Sequence, residues 1–242
     1  MIPLVRPELP PDLASDLDRR TRELATAKPD GGVARTKWRG ARSTRSSLLG
    51  HLTLMAAGLG QCMYCGESRG TSIDHFEPIT RAPQRAFDWL NHLLACSHCN
   101  SNEKREQYPC DTSGRCLLVD PSRQDPRDHL WLRLTTGCYE PRSAIGAETI
   151  RVFGLNRELL PRGRSAAFHV RRAVLRDALA RGAADEHEEM AVCLRALAEQ
   201  PFADVLYAMV DAAERPGAVE VLGRDVVEML KRPEVNRLVW PH

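Results

Sequence analysis

No apolar run in this sequence approaches the roughly 18–20 residues that a bilayer-spanning helix needs. The opening Met1-Ile-Pro-Leu-Val-Arg-Pro7 lacks the basic-then-apolar pattern of a secretory leader. No membrane association and a cytoplasmic location are therefore expected. Internal repeats and low-complexity tracts are absent too, which excludes a solenoid array. A third absence is local: no acidic residue occurs between Asp30 and Glu67, the interval that holds Arg35, Lys37, Arg39, Arg42 and Arg45. After Ala184 the balance turns acidic. The net charge of +2 says little about partners, but its distribution does. The first half suits a polyanion and the last quarter does not.

A chain of 242 residues allows one large domain or a small core with appended modules. Eight cysteines would suggest disulfides in a secreted protein. Here four of them form two close pairs, Cys62-Met-Tyr-Cys65 and Cys96-Ser-His-Cys99, and metal ligation is the better reading. Of the others, Cys110 and Cys116 flank a turn-like Asp-Thr-Ser-Gly, where pairing, metal binding and free thiols all stay open. Cys138 and Cys193 read as free thiols.

Hydrophobic spacing predicts a first helix from Pro11 or Asp12 to about Ala27, with Leu13, Leu17 and Leu24 on one face and a stop at Lys28-Pro-Asp-Gly-Gly32. The basic strip Arg35–Arg45 has no clear period and reads as a loop or a frayed helix start. It is either a solvated loop or a phosphate-contacting strip, in which Trp38 either stacks on a ligand or, the preferred reading, anchors the segment. A second helix is expected from Ser46 or Ser47 to about Leu59. Leu117 to Ser122 reads as extended, Gly137 as a turn, and Thr149–Arg157 as a short helix stopped by Gly154. From Ser165 onward the pattern is helical, broken at Gly182, Pro201 and Pro216-Gly217.

Two Cys-x-x-Cys turns can place four thiolates in the tetrahedron that a structural zinc requires. The intervening thirty residues must fold back on themselves to bring the pairs together. Such a closed shell leaves the zinc no open position for chemistry. A redox dithiol suits a single Cys-x-x-Cys better than two pairs. Within the insertion, Thr71-Ser-Ile-Asp74-His75-Phe reads as a strand end that sends Asp74 and His75 to opposite faces. Aspartate suits a hard cation and histidine suits a general base, the division of labour that phosphodiester hydrolysis demands. Asn91 precedes an apolar run able to pair with that strand, and Asn100 opens a short helix running to Lys104.

The order Cys-x-x-Cys, Asp-His, Asn-x-Leu-Leu-x-Cys-x-x-Cys-Asn, with a lysine shortly after, resembles the zinc-knuckle branch of the HNH endonucleases, whose active unit is the ββα-metal (His-Me) finger. The resemblance implies His75 as general base and Asp74 as the metal ligand beside it. Asn91 would be the middle residue that holds the loop and orients the base. Asn100 would be a second ligand, favouring Mg2+ or Mn2+ over a softer ion, and Lys104 a phosphate contact. His92, His98 and Glu77 match no catalytic position. The motifs Tyr108-Pro109, Leu118-Val-Asp-Pro-Ser, Asp125-Pro-x-x-His129-Leu and Gly154-Leu-Asn-Arg157 further resemble the HNH proteins of bacterial anti-phage systems such as Septu and retron-associated modules. That likeness implies an ABC/SMC-type ATPase or another defence-system partner, with DNA as substrate. His129, Asn156 and Arg157 read as structural, whereas the arginines at 164, 171, 172 and 176 form a second candidate phosphate face. The acidic helices after Asp185 are free to pack on the core, on a second copy as a homodimer, or on another subunit.

The expected fold is α+β and mainly α: a ββα-metal HNH core with structural zinc, flanked by N-terminal helices and a helical C-terminal region. The expected division is an N-terminal arm at 1–60, the nuclease core at 61–109, an extension at 110–163 and the helical region at 164–242. A zinc-stabilised nucleic-acid-binding or protein-interaction module without catalysis is the alternative.

Overall fold

The structure is a computed structural model and describes residues 1–27 and 30–239. It is mostly helical with two small antiparallel hairpins, the α+β, mainly α class expected from the sequence. Three helices lead: α1 (Pro11–Ala27), α2 (Gly31–Gly40) and α3 (Arg42–Met55). Leu13, Leu17 and Leu24 of α1 are buried as its spacing predicts. Of the expected stop after α1, Lys28 and Pro29 lie outside the described residues.

The basic strip is not a loop. Asp30 caps α2 by accepting from the Val33 amide at 2.8 Å, which satisfies one of the free N–H groups of the first turn. Ala34 and Trp38, four residues apart, then form its buried face. Two buried positions in ten residues are too few to show as a period, so this helix escapes a pattern search. Helix α3 also begins earlier than expected and buries Leu48, Leu52 and Met55.

The first hairpin pairs β1 (Ser72–His75) with β2 (His92–Ala95), in the register Ile73 to Leu94 and His75 to His92. A π-helix, His98–Lys104, follows and packs back on β1. The second hairpin pairs β3 (Leu130–Leu132) with β4 (Tyr139–Pro141). It replaces what the sequence suggested only as a segment with a turn at Gly137. That glycine has φ +70°, and a Cβ there would lie 2.0 Å from the Pro161 carbonyl oxygen, so only glycine fits. Residues 117–120 join no sheet, and the extended reading stops at Asp120, whose carbonyl accepts from the Arg123 amide at 3.0 Å to close a turn through Pro121 and Ser122.

Helix α4 (Ala144–Val152) starts five residues before its predicted beginning because Ser143 caps it. Helix α5 (Leu159–Ala183) likewise starts before Ser165. Five shorter helices complete the chain: α6 (His187–Glu199), α7 (Ala203–Ala213), α8 (Ala218–Leu222), α9 (Arg224–Leu230) and α10 (Pro233–Val239). One contiguous hydrophobic core runs from Met1 and Leu13 through the Cys-rich finger to Val235. Among the described residues, no helix is long and apolar enough to cross a membrane.

Arg164 and Arg171 of α5 belong to this core, and Arg172 and Arg176 are tied down at its edge. Arg164 is fully buried and donates to Asp204, to the Gly137 carbonyl and to the Leu155 carbonyl. Arg171 is equally buried and donates to the Pro201 carbonyl at 2.8 Å. Arg172 donates to the Leu222 carbonyl and Arg176 pairs with Asp225. The phosphate face expected on this helix is therefore corrected: these side chains knit α5 to α7 and to the α8–α9 corner.

Candidate active site

The four knuckle cysteines converge. The sulfurs of Cys62, Cys65, Cys96 and Cys99 all lie within 4.8 Å of one another, and the Cys65–Cys96 separation is 3.9 Å. A tetrahedron with Zn–S bonds of about 2.3 Å has S···S edges of about 3.8 Å, so the cluster fits one zinc ion. All four thiols are buried and unbridged. Sulfur neighbours push the Cys65 thiol pKa down and the Cys99 thiol up. Four clustered sulfurs thus cannot all ionise without a cation among them. The Cys99 amide approaches the Cys96 sulfur at 3.4 Å, and both terminal nitrogens of Arg157 approach the Cys99 sulfur at 3.9 Å. Arg157 therefore places positive charge against the sulfur cluster.

Asp74 and His75 leave β1 on opposite faces. His75 Nε2 lies 3.0 Å from the Ala86 carbonyl oxygen. A carbonyl can only accept, so Nε2 carries the proton and Nδ1 keeps its lone pair. Burial pushes the imidazole pKa down to about 4, which keeps the ring neutral. Trp38 meets His75 edge-on at 4.6 Å, so the anchoring reading of this tryptophan holds.

Asn91 fixes the loop that supplies the Ala86 carbonyl. Its Oδ1 accepts from the Glu77 amide at 2.8 Å, and its Nδ2 donates to the Glu77 carbonyl at 3.0 Å and the Arg85 carbonyl at 3.3 Å. The amide thus ties both ends of the segment between the strands. It reaches His75 only through Ala86, one residue beyond Arg85.

On the other face, Asp74 is buried with its two oxygens engaged. Tyr64 donates its hydroxyl to Oδ2 at 2.5 Å and Lys104 donates to Oδ1 at 3.2 Å. Lys104 also donates to the His75 carbonyl at 2.8 Å and is wholly buried. The phosphate contact expected of Lys104 does not match this placement. Its ammonium points inward because the π-helix turns both Asn100 and Lys104 toward β1. Asn100 Nδ2 donates to Ser72 Oγ at 3.0 Å, and no donor among the described residues reaches its Oδ1. A carboxylate and an amide oxygen are the donors a hard cation prefers, but here the Asp74 carboxylate is already paired with the Lys104 ammonium. Among the described residues, the only cluster of three or more His, Cys, Asp or Glu ligands is the four-cysteine set. A second cation would therefore take few protein donors.

His92 donates from Nε2 to the same Ala86 oxygen at 3.0 Å and stacks on Trp38 at 5.0 Å. It is fully enclosed, and its Nδ1 is sealed without a partner, whereas His75 keeps 8% exposure. Only His75 can meet a water from outside. His98 is on the surface beside Glu103, and the Glu77 carboxylate pairs with Arg81 and Arg85.

The basic strip flanks this site through Trp38. Lys37, Arg39 and Arg42 are exposed, and no carboxylate among the described residues pairs with them. Arg35 pairs with Glu106 at 2.7 Å, and Arg45 lies over the Trp38 ring at 5.6 Å. Four partners escaped the sequence reading: Tyr64, the Ala86 carbonyl, Arg157 at the sulfurs, and Arg6, which donates to the Trp89 and His92 carbonyls. Backbone acceptors carry no sequence signal. Tyr64, inside the first knuckle, was the one that its position could have pointed to.

Residues 62–106 match the HNH endonuclease family. The match begins at the first knuckle cysteine and ends just past Lys104, so Asp74, His75, Asn91, Asn100 and all four knuckle cysteines lie inside it. No curated protein and no solved structure matches the chain. The HNH domain supports a nuclease of that type, with a divalent metal as its usual need and a four-cysteine cluster that could hold zinc.

Proposed function

We propose that this chain is a metal-dependent endonuclease that hydrolyses phosphodiester bonds in DNA. The observation that carries this reading is the 3.0 Å contact of His75 Nε2 with the Ala86 carbonyl oxygen. In that contact Nε2 donates and keeps its proton, so Nδ1 would be the base, while Asp74 and Asn100 stand on the neighbouring face. In the proposed reaction, His75 Nδ1 takes a proton from a water as the water oxygen attacks phosphorus. The P–O bond to the 3′ oxygen breaks, the leaving 3′ oxygen takes a proton from solvent, and the downstream product carries a 5′ phosphate. Asn91 holds the Glu77–Ala86 segment, so the imidazole cannot turn away during attack. Asp74 and Asn100 would hold one Mg2+ or Mn2+, which supplies charge stabilisation at the phosphate and the leaving oxygen. Lys37, Arg39 and Arg42 would hold the DNA backbone, and the zinc cluster keeps the finger closed.

The biological setting is a further part of the proposal: effector nuclease of a bacterial anti-phage defence system. Its support is the resemblance of roughly residues 60–165, through the motifs from Tyr108 to Arg157, to Septu-type and retron-associated HNH proteins. An ABC/SMC-type ATPase is the corresponding partner.

A plasmid-nicking assay with Mg2+ or Mn2+, set against EDTA, tests the activity. His75→Ala should lower the rate by about 100-fold or more with zinc content unchanged. Full activity in that variant would remove His75 from the mechanism. A second reading has one observation in its favour, the Lys104 ammonium already seated on Asp74. On that reading the domain binds nucleic acid or protein without cleaving. Binding with no metal-dependent nicking, in the presence of the partner ATPase as well, would select it.

A further inference from the structure

Cys110 and Cys116 face each other across the chain as an isolated antiparallel bridge. The hydrogen bonds on either side define which kind of pair they are. Leu117 donates to the Pro109 carbonyl at 2.8 Å, and Asp111 donates to the Arg115 carbonyl at 2.9 Å. No backbone bond joins the two cysteines themselves, so they occupy a non-hydrogen-bonded position of the ladder. In such a pair the Cα atoms stand about 4.5 Å apart with both side chains on one face. That separation falls in the range of about 4.4–6.8 Å that a disulfide needs.

Other features of the bridge fit the same chemistry. Asp111 closes the tip by accepting from the Ser113 and Arg115 amides, at 2.9 Å and 3.0 Å, which holds the two arms in register. Residues 112–115 at the tip are exposed and both thiols are half-buried, so a small oxidant reaches them. The four zinc-type cysteines are buried, and Cys138 and Cys193 have no cysteine opposite them.

We propose that Cys110 and Cys116 are a peroxide-oxidisable cross-strand dithiol, a modification site outside the matched HNH segment. In the first step a thiolate of the pair attacks the O–O bond of hydrogen peroxide, forming a sulfenic acid and releasing one water. The second thiol attacks that sulfur, the S–S bond forms and a second water leaves. The two thiols lose two electrons in total, the peroxide is reduced to two waters, and both thiol protons end in water. The site is close to the candidate active centre. Cys116 adjoins Tyr108, whose ring meets Phe76, the residue after His75, edge-on at 5.9 Å.

Peptide mapping tests this on the full zinc-loaded chain. Trypsin cuts after Arg105, Arg115 and Arg123, so the disulfide would join peptides 106–115 and 116–123. After stoichiometric hydrogen peroxide and alkylation, that linked pair should be the main oxidised product, with zinc content unchanged, and dithiothreitol should abolish it. In Cys116→Ser the linked pair should vanish and a dimedone adduct should appear on Cys110, because burial pushes the Cys116 thiol pKa up and makes Cys110 the better nucleophile. Sulfenic or sulfinic acid on either cysteine of the wild-type chain without the linked pair would overturn the proposal. So would linkage of either peptide to Cys138 or Cys193, or to a second chain.

Discussion

Lys104 Nζ sits 3.2 Å from Asp74 Oδ1, and both side chains are buried. In the HNH domain, Asp74 is the carboxylate proposed to hold a cation, so the protein places its own cation there first. The charges of this pair cancel. A phosphate arriving with DNA would add the negative charge that a divalent ion needs.

Lys104→Met should therefore do two things. It leaves the Asp74 carboxylate buried and uncompensated, a loss of about 3–5 kcal/mol for a broken buried pair. It also opens Asp74 to a metal, so Mn2+ should raise the melting temperature of Lys104→Met well beyond its effect on the wild type. Thermal scans of both proteins across a Mn2+ series provide the measurement. Equal responses would mean that the ammonium does not compete with a cation.

Zinc removal should open the finger. Both knuckles pack into the one core, and the Met63 amide donates to the Leu94 carbonyl of β2. A strong chelator should release one zinc per chain, flatten the near-ultraviolet circular dichroism and end any nicking. Arg157→Gln removes the positive charge beside the Cys99 sulfur and should weaken zinc binding by about 10–100-fold, as removing a group that supports a metal's ligands typically does. Competition with a chromophoric chelator measures this. Unchanged affinity would make Arg157 a partner of the Phe153 and Gly154 carbonyls alone.

How much of this was legible depended on whether a residue sits in a local motif that signals its chemistry. Each Cys-x-x-Cys turn and the short β-like runs at residues 72–75 and 92–95 carry such a signal, so the knuckles and the hairpin could be matched across some thirty positions, and the structure brings them together. Trp38 illustrates the opposite case. It makes α2 a helix worth burying, but its partners His75, Phe87 and His92 are thirty-seven to fifty-four positions away. Lys104 and Arg164 looked like solvent-facing bases because lysine and arginine usually are. Their buried partners, Asp74 and Asp204, stand thirty and forty positions away and become neighbours only after folding.

The outer face of α2 and the start of α3 should carry the electrostatic part of DNA binding. Replacing Lys37, Arg39 and Arg42 together by Ala removes three exposed charges that have no acidic partner among the described residues. The slope of log K against log salt should flatten by about 0.9 for each phosphate that the variant no longer neutralises. Arg35→Ala should change it less, since Glu106 already neutralises that guanidinium. Fluorescence anisotropy of a labelled duplex at several salt concentrations reads both. An unchanged slope in the triple variant would move the DNA to another face.

Asp204 should control acid stability. Its Oδ2 accepts from Arg164 Nε at 3.1 Å, from the Met1 amine at 3.0 Å and from the Tyr139 hydroxyl at 2.7 Å. Burial alone would push this carboxyl up. The Met1 amine and Arg164 outweigh that and hold its pKa at about 2, below the ordinary 3.8. A carboxyl with a depressed folded-state pKa contributes fully above its unfolded value, and the contribution fades as pH falls through the folded value. The shift is worth about 2 kcal/mol, lost between about pH 4 and pH 2. Burial also pushes the amine's pKa down, which weakens the pair near neutrality, so the acid side is where the carboxylate's share is read. Asp204→Asn should lower stability at pH 7 by about 3–5 kcal/mol, because Arg164 and the amine would be left buried without a counter-charge. Denaturant midpoints from pH 6 down to pH 2 should fall less steeply for the variant than for the wild type. Parallel slopes would assign the acid limb to other carboxylates, with Asp16, also held at about 2, the first to examine.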